Sequence, residues 1–207
     1  MRRVINVVVA GVGLILAAPV MLAVALLVRL TSPGPVIFGQ KRVGIDRRRP
    51  GDDGQGRRLF DYGGRLFTMY KFRTIRVQAD NAAQIWASNS DPRITPVGRV
   101  LRKIRFDELP QLWNVLRGDM NLVGPRPEQP EIFVRIREEL DGYAHLQRVL
   151  PGVTGLAQIK LPYDNSIDDV RRKLELDLHY VSLKSPLQDL SIMARTIPVM
   201  LLRKGSR

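Results

Sequence analysis

The chain has 207 residues, long enough for one compact domain with its own core. It contains no cysteine, which excludes disulfides and thiolate metal sites. Lys and Arg outnumber Asp and Glu by 33 to 20, and the net charge of +13 points to a polyanionic partner: nucleic acid, anionic lipid headgroups or a phosphorylated substrate. Only 6% of residues are aromatic and no basic stretch is interleaved with stacking rings, so single-stranded nucleic acid binding has little support, and no nucleic acid is expected as the partner.

The first element is an apolar run from Val4 to Val28 whose one strongly polar residue is Asn6, flanked by Arg2, Arg3 and Arg29. A run of that length is a membrane-helix candidate. A cleaved leader ending at Ala17-Ala18 fits poorly, because apolar character continues beyond Pro19. A simple spanning helix is the default reading, and a membrane hairpin is the sharper one. Pro19 lacks an N–H and divides the run into arms of roughly 15 and 10 residues, about 22 and 15 Å long, each shorter than a hydrocarbon core of about 30 Å. Both flanks are basic, with Arg2 and Arg3 before the run and Arg29, Lys41, Arg42 and Arg47 to Arg49 after it. The positive-inside tendency then places both ends on the cytoplasmic side, which a single crossing cannot do.

Thr31-Ser32-Pro33-Gly34-Pro35 breaks the run, and Val36 to Val43 reads as a strand. Ile45 to Arg58 reads as a mobile loop. Leu59 to Tyr62 and Arg65 to Phe72 flank Gly63-Gly64, the signal of a tight β-hairpin. Ala79 to Ser88 suits a short helix. A helix is expected to start near Pro110, present Leu109, Leu112, Val115 and Leu116 on one face, and stop at Gly118. Pro125, Pro127 and Pro130 predict an irregular stretch, followed by helices from Glu131 to Leu146 and Ile167 to Val181. The last segment, Leu187 to Leu202, fits an interfacial amphipathic helix and a core helix equally well.

The stretch Arg102-Lys103-Ile104-Arg105-Phe106-Asp107-Glu108-Leu109-Pro110 places two carboxylates after three cations and before a helix start. Arginine forks and helix N–H groups bind phosphate, carboxylates bind Mg²⁺, and a carboxylate beside a diphosphate can attack phosphorus. The plain alternative is a pair of acids that only complements a helix dipole, and this stretch taken alone favours it. Gly124-Pro125-Arg126-Pro127 holds an arginine on restricted backbone, suited to an anion contact or a structural turn. Tyr70-Lys71-Phe72-Arg73 puts Lys71 and Arg73 on one face of a strand. Pro151-Gly152-Val153-Thr154-Gly155 is a turn-rich loop. His145 and His179 are isolated, and no phosphate loop, dinucleotide fingerprint or serine elbow is present.

Together these stretches resemble the monotopic phosphoglycosyl transferases, the bacterial sugar transferase family. The carriers run along most of the chain: Ser32-Pro33-Gly34-Pro35-Val36-Ile37-Phe38 with Gln40-Lys41-Arg42-Val43-Gly44, Phe67 to Thr74, and Asp107-Glu108-Leu109-Pro110-Gln111-Leu112 through Asn114-Val115 and Gly118-Asp119-Met120. They continue with Val123-Gly124-Pro125-Arg126-Pro127, Pro151 to Gln158, and Leu174-Glu175-Leu176-Asp177 with Tyr180. The resemblance implies an α+β, mainly helical fold with a re-entrant membrane helix-break-helix hairpin over residues 1–31, broken at Ala18-Pro19. A catalytic domain over 32–207 would follow, with a small β-hairpin and interfacial helices, on the cytoplasmic face of a bacterial inner membrane.

The implied reaction is ping-pong. Asp107 of an Asp107-Glu108 dyad would attack the β-phosphorus of a UDP-sugar, release UMP and pass the phosphosugar to undecaprenyl phosphate, beginning glycan assembly. Mg²⁺ would lie at Asp107 and Glu108. Arg102 would contact phosphate and Arg126 the nucleotide, while Lys71 and Arg73 would form a cationic wall near the membrane lipids. Two departures stand out: Ala18 replaces a serine common at the break, and Gln158-Ile159-Lys160 lacks the usual arginine, leaving Lys160 as a point charge. A catalytically lapsed membrane scaffold is the competing reading, and the donor sugar and any self-association are left open.

Overall fold

A computed structural model describes residues 2–47, 61–76, 92–161 and 166–201, with side chains to residue 199. Of the loop expected at 45–58, residues 48–58 lie outside the described residues, as does the helix expected at 79–88.

The apolar run forms one helix, α1 (Arg2–Thr31), which stays helical on both sides of Pro19. Its buried residues come in two i,i+4 pairs, Asn6 with Ala10 and Val24 with Val28, one near each end. Between them the helix turns large apolar side chains outward: Ile15 is 74% exposed, Leu16 72% and Leu22 72%. Both ends are therefore seated on the same domain while the Pro19 region stands free of it.

Each end is held by polar contacts. At the start, Arg2 grips Asp189 and donates to Tyr180 Oη. Arg3 donates to the carbonyls of Val115 and Leu116, where a cation suits a helix C-terminus. The Asn6 amide donates to Asn121 Oδ1 at 2.9 Å and its oxygen accepts from Leu122 N at 3.2 Å, so the one polar residue of the run is satisfied. At the far end Arg73 donates to the carbonyls of Pro33 at 2.7 Å and Ser32 at 2.6 Å.

Strands β1 (Ile37–Val43) and β2 (Leu66–Phe72) pair antiparallel, with Phe38 opposite Lys71 and Val43 opposite Leu66. The strand from Val36 is thus borne out, but the Gly63-Gly64 hairpin is not. Residues 61–62 form no strand, and β2 pairs with β1 across the intervening segment. Gly63, at φ +77°, instead completes a turn in which its N–H donates to Asp61 Oδ1.

Helix α2 (Pro96–Ile104) was not anticipated; it starts at a Thr95 cap whose hydroxyl accepts from Gly98 N. Helix α3 (Gln111–Arg117) ends at left-handed Gly118, as the sequence indicates. It is fastened to the sheet by Asn114, which is fully buried. Asn114 accepts from Tyr70 N at 3.0 Å and donates to the Thr68 carbonyl at 2.8 Å, fixing where β2 lies along the helix.

A short strand β3 (Asn121–Val123) leads through the proline-rich stretch to α4 (Pro130–Glu139). The expected helix to Leu146 stops early, because Gly142 at φ +82° turns the chain into a 3₁₀ segment, Tyr143–Arg148. Strand β4 (Gly152–Thr154) pairs parallel with β3, and α5 (Leu156–Lys160), α6 (Ile167–Leu183) and α7 (Pro186–Leu201) complete the fold.

The largest core cluster joins Ala10 of α1 to Met69, Val115, Met120, Val123, Tyr180 and Ile192. Helix α7 thus buries one face through Ile192, while Leu187, Leu190 and Ile197 remain exposed. The described residues are mainly helical, with two small two-stranded sheets and an apolar N-terminal helix.

Candidate active site

The acidic pair is positioned by a reversal between two helices. Helix α2 stops at Arg105, the one non-glycine residue at positive φ (56°) among those described. This left-handed residue redirects the chain into a 3₁₀ turn, Phe106–Glu108, that carries both carboxylates. Pro110 then leads into α3. Asp107 and Glu108 are each only 8% exposed.

Three cations from three parts of the chain converge on Glu108. Arg126 Nη2 lies 3.1 Å from its Oε1, Lys71 Nζ 3.6 Å from the same oxygen, and Arg105 Nη1 3.9 Å from Oε2. Asp107, by contrast, has no hydrogen bond or ion pair among the described residues. The dyad is asymmetric.

Electrostatics follow the geometry. Burial pushes the Glu108 carboxyl upward, but Arg126, Lys71 and Arg105 outweigh it and hold it down at about 2. Asp107 moves the other way: burial and the charge of Glu108 raise it, against opposing pulls from Lys71, Arg102 and Arg126. Burial lowers Lys71 to about 8 despite Glu108, with Arg126 and Arg42 adding to the fall. Glu108 is thus the fixed anion that anchors the cations, and Asp107 is the more basic carboxylate with its oxygens uncommitted.

The loop bearing Arg126 is placed by a glycine-on-glycine contact. A Cβ on Gly152 would lie 2.1 Å from Gly124 N, and one on Gly155 2.4 Å from Gly124 O, so the two loops meet backbone to backbone. That approach lets Arg126 Nη1 reach Gln158 Oε1 at 3.4 Å while Nη2 holds Glu108. Arg42 secures the end of the loop, donating to the Pro127 carbonyl at 3.0 Å and to Glu128 Oε2 at 3.4 Å.

Of the residues singled out in the sequence, the structure gathers Asp107, Glu108, Lys71 and Arg126. Arg102 is close enough to act on Asp107, and its Nε donates to Thr74 Oγ1 at 2.9 Å. Arg73 does not join them: it is buried and turned onto the carbonyls at the end of α1. Lys160 is exposed on α5 with no ion pair among the described residues, and Ala18-Pro19 lies in the exposed middle of α1. Sequence reasoning missed Arg105 as a partner of Glu108 and Arg42 as the clamp on the Pro127 loop. Both stand inside motifs already marked, but which way their side chains turn is set only by the fold.

The family model for the bacterial sugar transferases matches residues 1–203. The chain belongs to the bacterial sugar transferase family. Among its relatives, it is 38% identical over 206 residues to the UDP-N-acetylgalactosamine-undecaprenyl-phosphate N-acetylgalactosaminephosphotransferase of Aeromonas hydrophila, covering all of this chain and 45% of that protein. It is 37% identical to the UDP-glucose:undecaprenyl-phosphate glucose-1-phosphate transferase of Caulobacter vibrioides, over 97% of this chain and 69% of that protein. The Escherichia coli protein of the same name is 35% identical over 95% of this chain and 39% of its own length. The chain thus spans less than half of the Aeromonas and Escherichia relatives. Similar identities attach to relatives named for different sugars, so overall similarity does not select the donor.

Proposed function

We propose that this chain transfers a sugar phosphate from a UDP-sugar to undecaprenyl phosphate through a covalent intermediate on Asp107. The observation that carries this reading is the asymmetry of the dyad: a buried carboxylate with no hydrogen bond or ion pair among the described residues, beside one whose charge is fully engaged. In the first step an Asp107 oxygen forms a bond to the β-phosphorus, and the bond from that phosphorus to the bridging oxygen breaks. UMP departs with the electron pair. In the second step an oxygen of the lipid phosphate attacks the same phosphorus and the Asp107 carboxylate leaves, giving a lipid diphosphate sugar. Splitting one displacement in two lets a soluble donor and a membrane-held acceptor use one aspartate in turn.

The cations suit this task. Arg126 and Lys71 stand where charge builds on the phosphoryl oxygens, and Arg102 flanks Asp107. No cluster of three or more metal-ligating side chains occurs among the described residues. A Mg²⁺ ion brought in on the diphosphate would therefore be held by Asp107, the uncommitted carboxylate, with Glu108 beside it, and would supply charge neutralisation. A cation there also relieves the repulsion that raises Asp107.

Incubating the protein with UDP-sugars and Mg²⁺, without lipid, tests the reaction. Release of UMP and an intact-mass increase equal to one phosphosugar are expected; neither product with any donor tested would reject the reading.

The membrane arrangement belongs to the same proposal. Both ends of α1 rest on one domain, both flanks are basic, and the apolar middle faces outward. This supports a helix that enters one leaflet, bends at Pro19 and returns, leaving the dyad on the cytoplasmic face of the inner membrane. A cysteine introduced at position 3 should resist an impermeant thiol reagent added outside intact cells. Ready labelling there would mean a single crossing.

A further inference from the structure

We propose that Phe38 is the apolar contact for the isoprenoid chain of the lipid phosphate, where that chain leaves the dyad for the bilayer. The inference rests on the transfer reaction above. An acceptor with a charged head at Asp107 and a tail in the membrane needs an apolar surface between the two points.

Register decides which residue supplies it. Phe38 of β1 lies directly opposite Lys71 of β2. Residues directly opposed in an antiparallel pair project from the same face of the sheet, with Cβ atoms about 5 Å apart. Lys71 Nζ is 3.6 Å from Glu108 Oε1, so this is the face turned to the dyad. On that face Arg42 is buried, holding the Pro127 loop, and Met69 and Phe67 are sealed in the core. Phe38 alone among these neighbours leaves a large apolar surface open, at 49% exposure.

Phe38 also sits at the end of the sheet that meets the close of α1. The Phe38–Lys71 pair is next to the first pair of the ladder, Ile37–Phe72. Immediately beyond, Arg73 N donates to Val36 O and the Arg73 guanidinium binds the carbonyls that close α1. The last turns of α1 expose Leu26 (60%), Leu27 (49%) and Leu30 (73%). Under this proposal the tail's path leads from the exposed leucines of α1 past this junction to Phe38, which adjoins the cation that touches Glu108. A tail following that path has its phosphate delivered beside Lys71. Phe38 acts on the acceptor alone and makes no demand on the soluble donor.

The two half-reactions separate this idea from its premise. In Phe38→Ser, formation of the phosphosugar adduct and UMP release should match wild type, which also shows that the variant folds. Transfer from the preformed adduct to undecaprenyl phosphate should lose about tenfold in kcat/KM, chiefly through KM, as expected for losing one apolar contact. Phe38→Leu should recover most of it. Geranyl phosphate, which has the first isoprene units but not the length to anchor in a bilayer, should show the same loss. Ethyl phosphate, supplied at high concentration, should show none. Unchanged transfer to both isoprenoid acceptors overturns the proposal. So does a loss confined to undecaprenyl phosphate, which would assign Phe38 to the bilayer itself. No adduct in the wild-type protein would remove the premise instead.

Discussion

Asp107→Asn is expected to abolish UMP release and adduct formation while leaving the protein at least as stable as wild type. An amide cannot form the acyl phosphate, so the loss should be on the order of 10⁴-fold or more, the scale seen when a covalent nucleophile is removed. Stability should not follow activity, because Asp107 makes no hydrogen bond or ion pair among the described residues that the change would break. Burial and the charge of Glu108 raise its pKa. The ionised carboxylate is therefore a cost to the fold at neutral pH, and a neutral side chain of the same shape removes it. Intact mass, UMP assay and a denaturant midpoint on one preparation check all three expectations. A variant that still forms an adduct would move the nucleophile elsewhere, and one that unfolds would give Asp107 a structural role.

How much of this was readable beforehand depends on how local the signal is. The run from Val4 to Val28, the Pro110–Gly118 helix and the Ile167 helix each carry their own periodicity and end signals, and each formed. Gly63-Gly64 misled because a two-residue turn signal is local, whereas the partner of β2 lies on the far side of a long connection. The β3–β4 pair has three residues a side and joins segments about thirty apart, too short for any periodicity to register. At the site, both carboxylates were visible as a pair among cations, and resemblance supplied the nucleophile's role. Their asymmetry was not visible, since it arises from Lys71 on β2, Arg105 at a left-handed turn and Arg126 after β3 meeting at one side chain. Lys71 and Arg73 show the same limit. Two residues apart, they are equivalent by alternation, yet one faces the dyad and the other closes α1.

Glu108→Gln should have the opposite profile to Asp107→Asn, losing stability as well as activity. Folded, Glu108 titrates at about 2 against a usual 4.5, so the unfolded chain binds more protons across that interval. Stability from Glu108 is present in full above 4.5 and is lost as pH falls toward 2. Asp107 contributes with reversed sign: raised when folded, it favours the fold below its usual 3.8 and loses that contribution as pH rises. In acid titrations of stability, Glu108→Gln should therefore flatten the fall toward low pH, and Asp107→Asn should steepen it. Activity should drop by roughly 10²-fold for a reason tied to the same geometry. Without Glu108, the carboxylate that fixes Lys71 and Arg126 beside the dyad is gone, and the cations that would meet the phosphoryl oxygens lose their placement. Adding Lys71→Met to Glu108→Gln removes one uncompensated buried cation, so it should restore part of the stability and none of the activity. Full activity in Glu108→Gln would show that the cations are placed by something other than Glu108.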